Sequence, residues 1–156
     1  MPIIKQIKQD AIEAFKQGNS GVFIHNFNSV KDLKNSFSEE LVKEFPDIIQ
    51  VDNEFPLPAL YRLGDYSVVP TEYGTILNFY TELTSDSSYE YSALKSCLKK
   101  LSMEAIRSGS YVEVMFPIIE NSKYNIETIK KILNFQEHLL ITVVTHDKGQ
   151  ISMGEE

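Results

Sequence analysis

The stretch GVFIHNFNSVKDLKNSFSEELVKEFP, Gly21 to Pro46, decides the fold. It opens as an apolar strand, Gly21, Val22, Phe23 and Ile24, and closes as a helix with apolar Leu33, Phe37, Leu41 and Phe45 at helical spacing. Between the two stand His25, Asn26, Asn28 and Ser29. A buried strand that runs through hydrogen-bonding side chains into a helix has two readings. One is turn chemistry. The other is a ligand cradle at the carboxyl end of a strand, where open α/β sheets bind small molecules.

The flanking sequence repeats the alternation of strand and helix. Ile3 to Lys8 reads as a short strand, and Asp10 to Gly18 as one or two helical turns closed by glycine. Ser36 and Glu39 have capping-box spacing for the helix that ends at Phe45-Pro46. VDNEFPLPAL, with two prolines, reads as an irregular loop. Tyr66–Val69 and Thr75–Tyr80 read as strands around the turn PTEYG. A second capping-box match, Ser87 and Glu90, opens the clearest helix, with Leu94, Cys97, Leu98, Leu101 and Ala105 on one face and Gly109 as its stop. Tyr111–Phe116 reads as a strand halted by Pro117. Ile126, Ile129, Ile132 and Leu133 mark a further helix, and Leu139–Thr145 is an apolar final strand. The order predicts a three-layer α/β/α sandwich around a central mixed sheet, as one domain over residues 1–147, with a loose tail over 148–156.

Charge and composition narrow the function classes. The chain has 156 residues and a formal net charge of −7, which argues against duplex nucleic acid, because phosphate backbones need a basic face. The sequence contains no long apolar run, so neither a leader nor a membrane span is expected, and a cytoplasmic setting follows, in the host if the source is a phage or virus. Cys97, the single cysteine, falls in an apolar helical pattern and reads as a core residue. The histidines, His25, His138 and His146, lack metal-ligand spacing, so no metal and no cofactor are expected. No Walker loop, G-x-G-x-x-G or G-x-S-x-G occurs. Strand alternation puts His25 on the face opposite Ile24 and Asn26, and it reads as a satisfied structural histidine.

The ordered features resemble the macro domain family, in its small stand-alone members that bind or process ADP-ribose derivatives. IKQDAI resembles the first-strand segment, with Asp10 in the aspartate position. FIHNFNS is similar to the buried strand that ends His-x-x-Asn-Ser in one branch. LGDYSVVPTEYGTILNFYTE is similar to the middle hairpin, YSALKSCLKKL to the following helix, and EVMFPI and LITVVTHD to the last two strands. The resemblance spans roughly Ile3 to His146. It implies an adenine partner in Asp10 and a distal-ribose or water-orienting partner in Asn28. It also implies ligand contacts at Ala11, Asn26, Lys34, Asn35, Ser36, Phe37, Ile118, Ile119, Asn121, Ser122 and His146. Asp10 also suits a helix cap, and Asn28 an Asx-turn.

The departures fall on the phosphate loops. Where the family has a glycine-rich first loop, this chain has Lys34, Asn35 and Ser36. The second loop, IIENSKYN after Pro117, has no glycine. Diphosphate cradles use glycine so that consecutive N–H groups approach closely, often at φ > 0. Glu120 would add a like charge worth about 4 kcal/mol at ~4 Å and an effective dielectric near 20. One branch of the family uses a lysine after the middle strand. Here Glu82 or a neighbour takes that position, and Glu82 with Asn28 forms the candidate catalytic pair. Two expectations remain open: an ADP-ribose-type site that binds and hydrolyses, or an inactive module whose filled cleft has given way to a protein partner or homo-oligomer. The second draws on Tyr61, Tyr66, Tyr73, Tyr89 and Tyr91, which read as exposed.

Overall fold

The computed structural model describes residues 2–18, 21–30, 36–84 and 86–148, with the side chain of Ser36 excepted. Strands β1 (Ile3–Gln9), β2 (Val22–Asn28), β3 (Tyr66–Thr71), β4 (Gly74–Glu82), β5 (Val112–Ile118) and β6 (Leu139–His146) form one sheet. Its order is β1-β6-β5-β2-β4-β3. All pairs are parallel except β3 with β4, which is antiparallel at one edge. The sheet is mixed, as the strand–helix alternation predicts.

Helices cover both faces. On one side lie α1 (Ala11–Lys16), α2 (Ser36–Glu44) and α3 (Asp47–Glu54), packed through Phe15, Leu41 and Ile48 onto Phe23, Ile76 and Met115. On the other lie α5 (Tyr91–Ser108) and α6 (Ile126–Asn134), packed through Leu94, Leu98 and Ile129 onto Ile24, Phe79 and Phe116. The period of two along each strand sends alternate residues to the two cores, and both faces are covered. A short helix α4 (Ala59–Arg62) precedes β3.

Local chemistry explains most of the boundaries. Asp10 caps α1, its Oδ1 accepting from the N–H of Ile12 at 3.0 Å and of Glu13 at 3.2 Å. Gly109 ends α5 in the left-handed region, φ 78, with its N–H on the carbonyls of Ala105 and Ile106. Gly74 opens β4 at φ 148, and a Cβ there would lie 3.0 Å from the Gly21 carbonyl oxygen. Cys97 is buried and gives its thiol to the Asp65 carbonyl at 3.3 Å, and burial pushes that thiol's pKa up.

Several expectations need correction. VDNEFPLPAL is not a loop throughout: Val51 to Glu54 end α3, and Ala59 begins α4. Tertiary contact holds α3, through buried Ile48 and an Asp52–Arg62 ion pair at 2.8 Å. The Ser87–Glu90 capping box does not form; the cap residue Glu90 makes no side-chain cap bond, and Ser87 Oγ accepts from the Thr84 N–H instead. Pro117 does not halt β5, which continues to Ile118 in register with Val144 and Thr145. β2 pairs with β5 only at Val22 and Phe23, so by Pro117 no ladder bond is needed on that side. Tyr66 and Tyr89 are buried, whereas Tyr61 is exposed. Lys34, Asn35 and the tail over 149–156 lie outside the described residues, as does the side chain of Ser36.

Candidate functional site

The divergence of β2 from β5 opens a cleft of about 350 Å³ at the carboxyl ends of the parallel strands. Its strand-end wall carries Asn26 and Asn28 from β2 and Glu82 from β4. Asn28 and Glu82 face each other in the ladder, across a register shift after Phe27, and the Ser29 N–H donates to the Glu82 carbonyl at 3.0 Å. The two candidate catalytic residues are therefore neighbours. Asn28 Oδ1 accepts from the Val30 N–H at 3.2 Å, the Asx-turn bond, which orients its amide. Asn26 Oδ1 accepts from the Tyr89 hydroxyl at 2.9 Å and from Thr81 at 3.3 Å.

Glu82 has a partner that strand order could not reveal. Lys123, from the segment between β5 and α6, lies 3.3 Å from its carboxylate and also donates to the Ser87 carbonyl. Burial raises the Glu82 pKa, and the Lys123 charge opposes that rise. With no lysine between Thr71 and Leu94, the cleft nonetheless acquires one from 41 residues beyond Glu82 (123 − 82 = 41).

The glycine-free second loop is braced by tyrosines. Tyr124 accepts the Ile119 N–H on its hydroxyl at 2.8 Å, and Tyr91 accepts the Asn125 N–H at 2.8 Å. Tyr89 packs edge-on against both rings, at 5.1 and 5.3 Å. Asn121 takes the left-handed conformation, φ 65, that glycine would otherwise supply. Ile119, Asn121 and Ser122 line the cleft. Glu120 is exposed, between the cleft residues Ile119 and Asn121. Among the described residues, the acids that line the cleft are Glu82 and Asp86.

The remaining expected residues divide. Phe37 lines the cleft from a nearly buried position and packs edge-on against His146 at 4.8 Å. His146 Nδ1 accepts the Ala11 N–H at 3.0 Å, beside Asp10. Ala11 is wholly buried, Ile118 is buried in the core toward α5 and α6, and Asp10 lines a shallow depression with Glu40 and Lys148. Asp10 and Asn28 line different depressions among the described residues; Phe37, which lines the Asn28 cleft, touches His146, which holds the Ala11 N–H next to Asp10. Sequence reading did not single out Ser38, Asp86, Tyr89, Pro117 or Lys123 as site residues. Ser38 had a legible signal, one helical residue after Phe37; Asp86 and Lys123 arrive through loop geometry.

The fold matches known structures. The chain superposes on a macrodomain from Streptomyces coelicolor with a TM-score of 0.71, at 15% identity over 92% of this chain and 99% of that one. For the macrodomain of Thermus aquaticus DarG the TM-score is 0.69, at 16% identity over 90% and 97% of the two chains. This chain has the macrodomain fold. The macrodomain architecture is also shared with Thermosipho africanus DarTG, a structure in complex with ADP-ribose, at a TM-score of 0.65 and 10% identity, over 80% of this chain and 38% of that one. By sequence, the chain is 30% identical over 104 residues to an uncharacterized 17.5 kDa protein of Enterobacteria phage T4, in the tk-vs intergenic region. The match covers 64% of this chain and 66%, just under two thirds, of the phage protein. No family model matches the sequence. Among the described residues no helix is long and apolar enough to cross a membrane.

Proposed function

We propose that this macrodomain binds ADP-ribose or a related adenine nucleotide along the carboxyl ends of its parallel strands. The observation that carries the reading is the open cleft beside Asn28, in a fold shared with a protein whose structure contains ADP-ribose. The distal ribose lies against Asn26 and Asn28. The diphosphate lies toward the β5–α6 loop, where Lys123 takes over charge neutralisation that glycine-rich loops otherwise leave to backbone N–H groups. The adenine passes Phe37 and His146 toward Asp10, whose cap bonds use only Oδ1.

The ribose end also carries parts for hydrolysis of an ADP-ribose derivative. Asn28 orients a water, and Glu82, its proton affinity raised by burial, takes the water's proton. The reading as a filled, ligand-free interaction module has less support. Phe37 and Tyr124 line the cleft rather than filling it, and Ile118 is buried in the core.

Titration calorimetry with ADP-ribose tests the binding. Saturable heat at submillimolar ligand is expected; no heat and no thermal shift at millimolar ligand would end the proposal. Glu82→Gln should abolish turnover of O-acetyl-ADP-ribose without weakening binding, because the amide keeps the shape, loses the base and takes a negative charge out of the cleft.

A further inference from the structure

One face of the sheet carries polar side chains in register. Ser67 of β3 stands opposite Asn78 of β4, and Asn78 opposite His25 of β2. All three are buried. At one end the row meets Ser38 of α2, which lines the cleft. At the other it meets Tyr80, then Asp52 of α3, held by Arg62 of α4.

Asp52 sets the direction of every bond. Tyr80 donates to its Oδ1 at 2.6 Å, the same oxygen that the Arg62 guanidinium holds at 2.8 Å. The Tyr80 oxygen then accepts from Ser67 at 3.0 Å, and Ser67 accepts from Asn78 Nδ2 at 3.1 Å. Asn78 is left to offer Oδ1 to the His25 Nδ1–H at 2.9 Å. His25 Nε2 therefore carries no proton and accepts the Ser38 hydroxyl at 2.9 Å. We propose that this row fixes Ser38 as a hydrogen-bond acceptor toward the cleft, so that Ser38 selects a ligand hydroxyl, such as that of a ribose, over a phosphate oxygen. The ribose identity rests on the ADP-ribose reading above; the polarity of the row does not.

A serine, histidine and asparagine at these distances also have the geometry of a nucleophile with its base. Two observations oppose that role. Burial lowers the His25 pKa to about 4, too weak to take the Ser38 proton at neutral pH. Asn78, an amide, cannot stabilise an imidazolium as a carboxylate would, nor pass a proton along the row. The row transmits orientation, not protons.

Two measurements test the proposal. Long-range 1H–15N correlation at neutral pH should find His25 as the Nδ1–H tautomer; the Nε2–H tautomer would overturn the proposal. Tyr80→Phe removes the acceptor for Ser67, lets the row reverse, and should raise the Nε2–H population. In titrations, Ser38→Ala should weaken ADP-ribose about tenfold and ADP, which lacks the distal ribose, less than twofold. Tyr80→Phe, which lies outside the cleft lining, should narrow the ratio of the two affinities at least threefold. Equal losses for both ligands, or covalent labelling of Ser38 by a fluorophosphonate, would reject the proposal. If neither ligand binds the unmutated protein, the ADP-ribose reading falls and the ribose selection with it, while the His25 tautomer still decides the polarity of Ser38.

Discussion

The two faces of the central sheet are equally buried and chemically unlike. Toward α5 and α6 the strands present Ile24, Leu77, Phe79, Val114 and Phe116, an apolar surface broken at its cleft end by Asn26 and Thr81. Toward α2 and α3 the same strands present His25, Asn78 and Ser67 among Phe23, Ile76 and Met115. Burying a polar group costs free energy unless each hydrogen bond is replaced, so the second face holds together only as a satisfied network. The contrast separates two tasks. The dry face contributes stability through area and packing. The wet face sets the orientation of groups that reach the cleft, and makes that orientation depend on residues as remote as Tyr80 and Asp52.

The largest expected effect breaks the dry face. Phe116 is fully buried in β5 between α5 and α6. Phe116→Ala should cost about 4 kcal/mol of unfolding free energy through lost burial and a residual cavity. Urea melts measure it. A loss below about 1 kcal/mol would mean that the dry face is not the main store of stability.

The second effect titrates the wet face. His25 is nine-tenths or more buried, and its pKa is lowered from the usual histidine range to about 4, chiefly by burial, with the Asn78 bond opposing. The unfolded chain therefore binds a proton that the folded chain refuses between pH 6.5 and 4. Stability is fully present above pH 6.5 and falls as pH drops through that window, by up to about 3 kcal/mol for a depression of this size. Carboxylates titrate nearby, so the measurement is a difference. His25→Gln should flatten the slope of melting free energy between pH 6.5 and 4.5 relative to the unmutated protein. Parallel slopes would mean that His25 accepts its proton within the fold.

Legibility in the sequence follows the same division. The apolar face was readable because period two in β2 and β6, and the 3.6-residue stripe through Leu94, Cys97, Leu98 and Leu101, are local signals. The wet row was readable only at His25, whose neighbours in the ladder, Asn78 and Ser67, lie 53 and 42 residues away (78 − 25 = 53; 67 − 25 = 42). A polar residue at an inward strand position was the available sign, and Asn78 inside the apolar run of β4 carried it. α3 escaped because Pro56 and Pro58 suggested a loop, while Ile48 and the Asp52–Arg62 pair supply the helix with contacts no local pattern encodes. In the cleft, Asn28 and Glu82 were named through the macro-domain resemblance, and both lie at strand ends. Lys123 was not, because only the turn after β5 brings it to Glu82.

The smallest effect asks which side of the Phe37–His146 contact the ligand reaches. Asp10 caps α1 through Oδ1, and serine is about as good a cap as aspartate. Asp10→Ser should therefore change unfolding free energy by less than about 0.5 kcal/mol, whereas Asp10→Ala should cost about 1 kcal/mol. An adenine amino group that donates to the carboxylate would lose a charge-assisted bond in both variants. ADP-ribose affinity should then fall about tenfold in each, since such a bond contributes at least about 1.5 kcal/mol. Calorimetry on the pair separates the two tasks of one residue. A cap loss without an affinity loss would confine Asp10 to the helix start and end the ligand at Phe37, leaving the cleft to hold only the ribose and phosphate groups. Matching affinity losses would place the adenine beyond Phe37, against the surface that His146 and Ala11 hold in position.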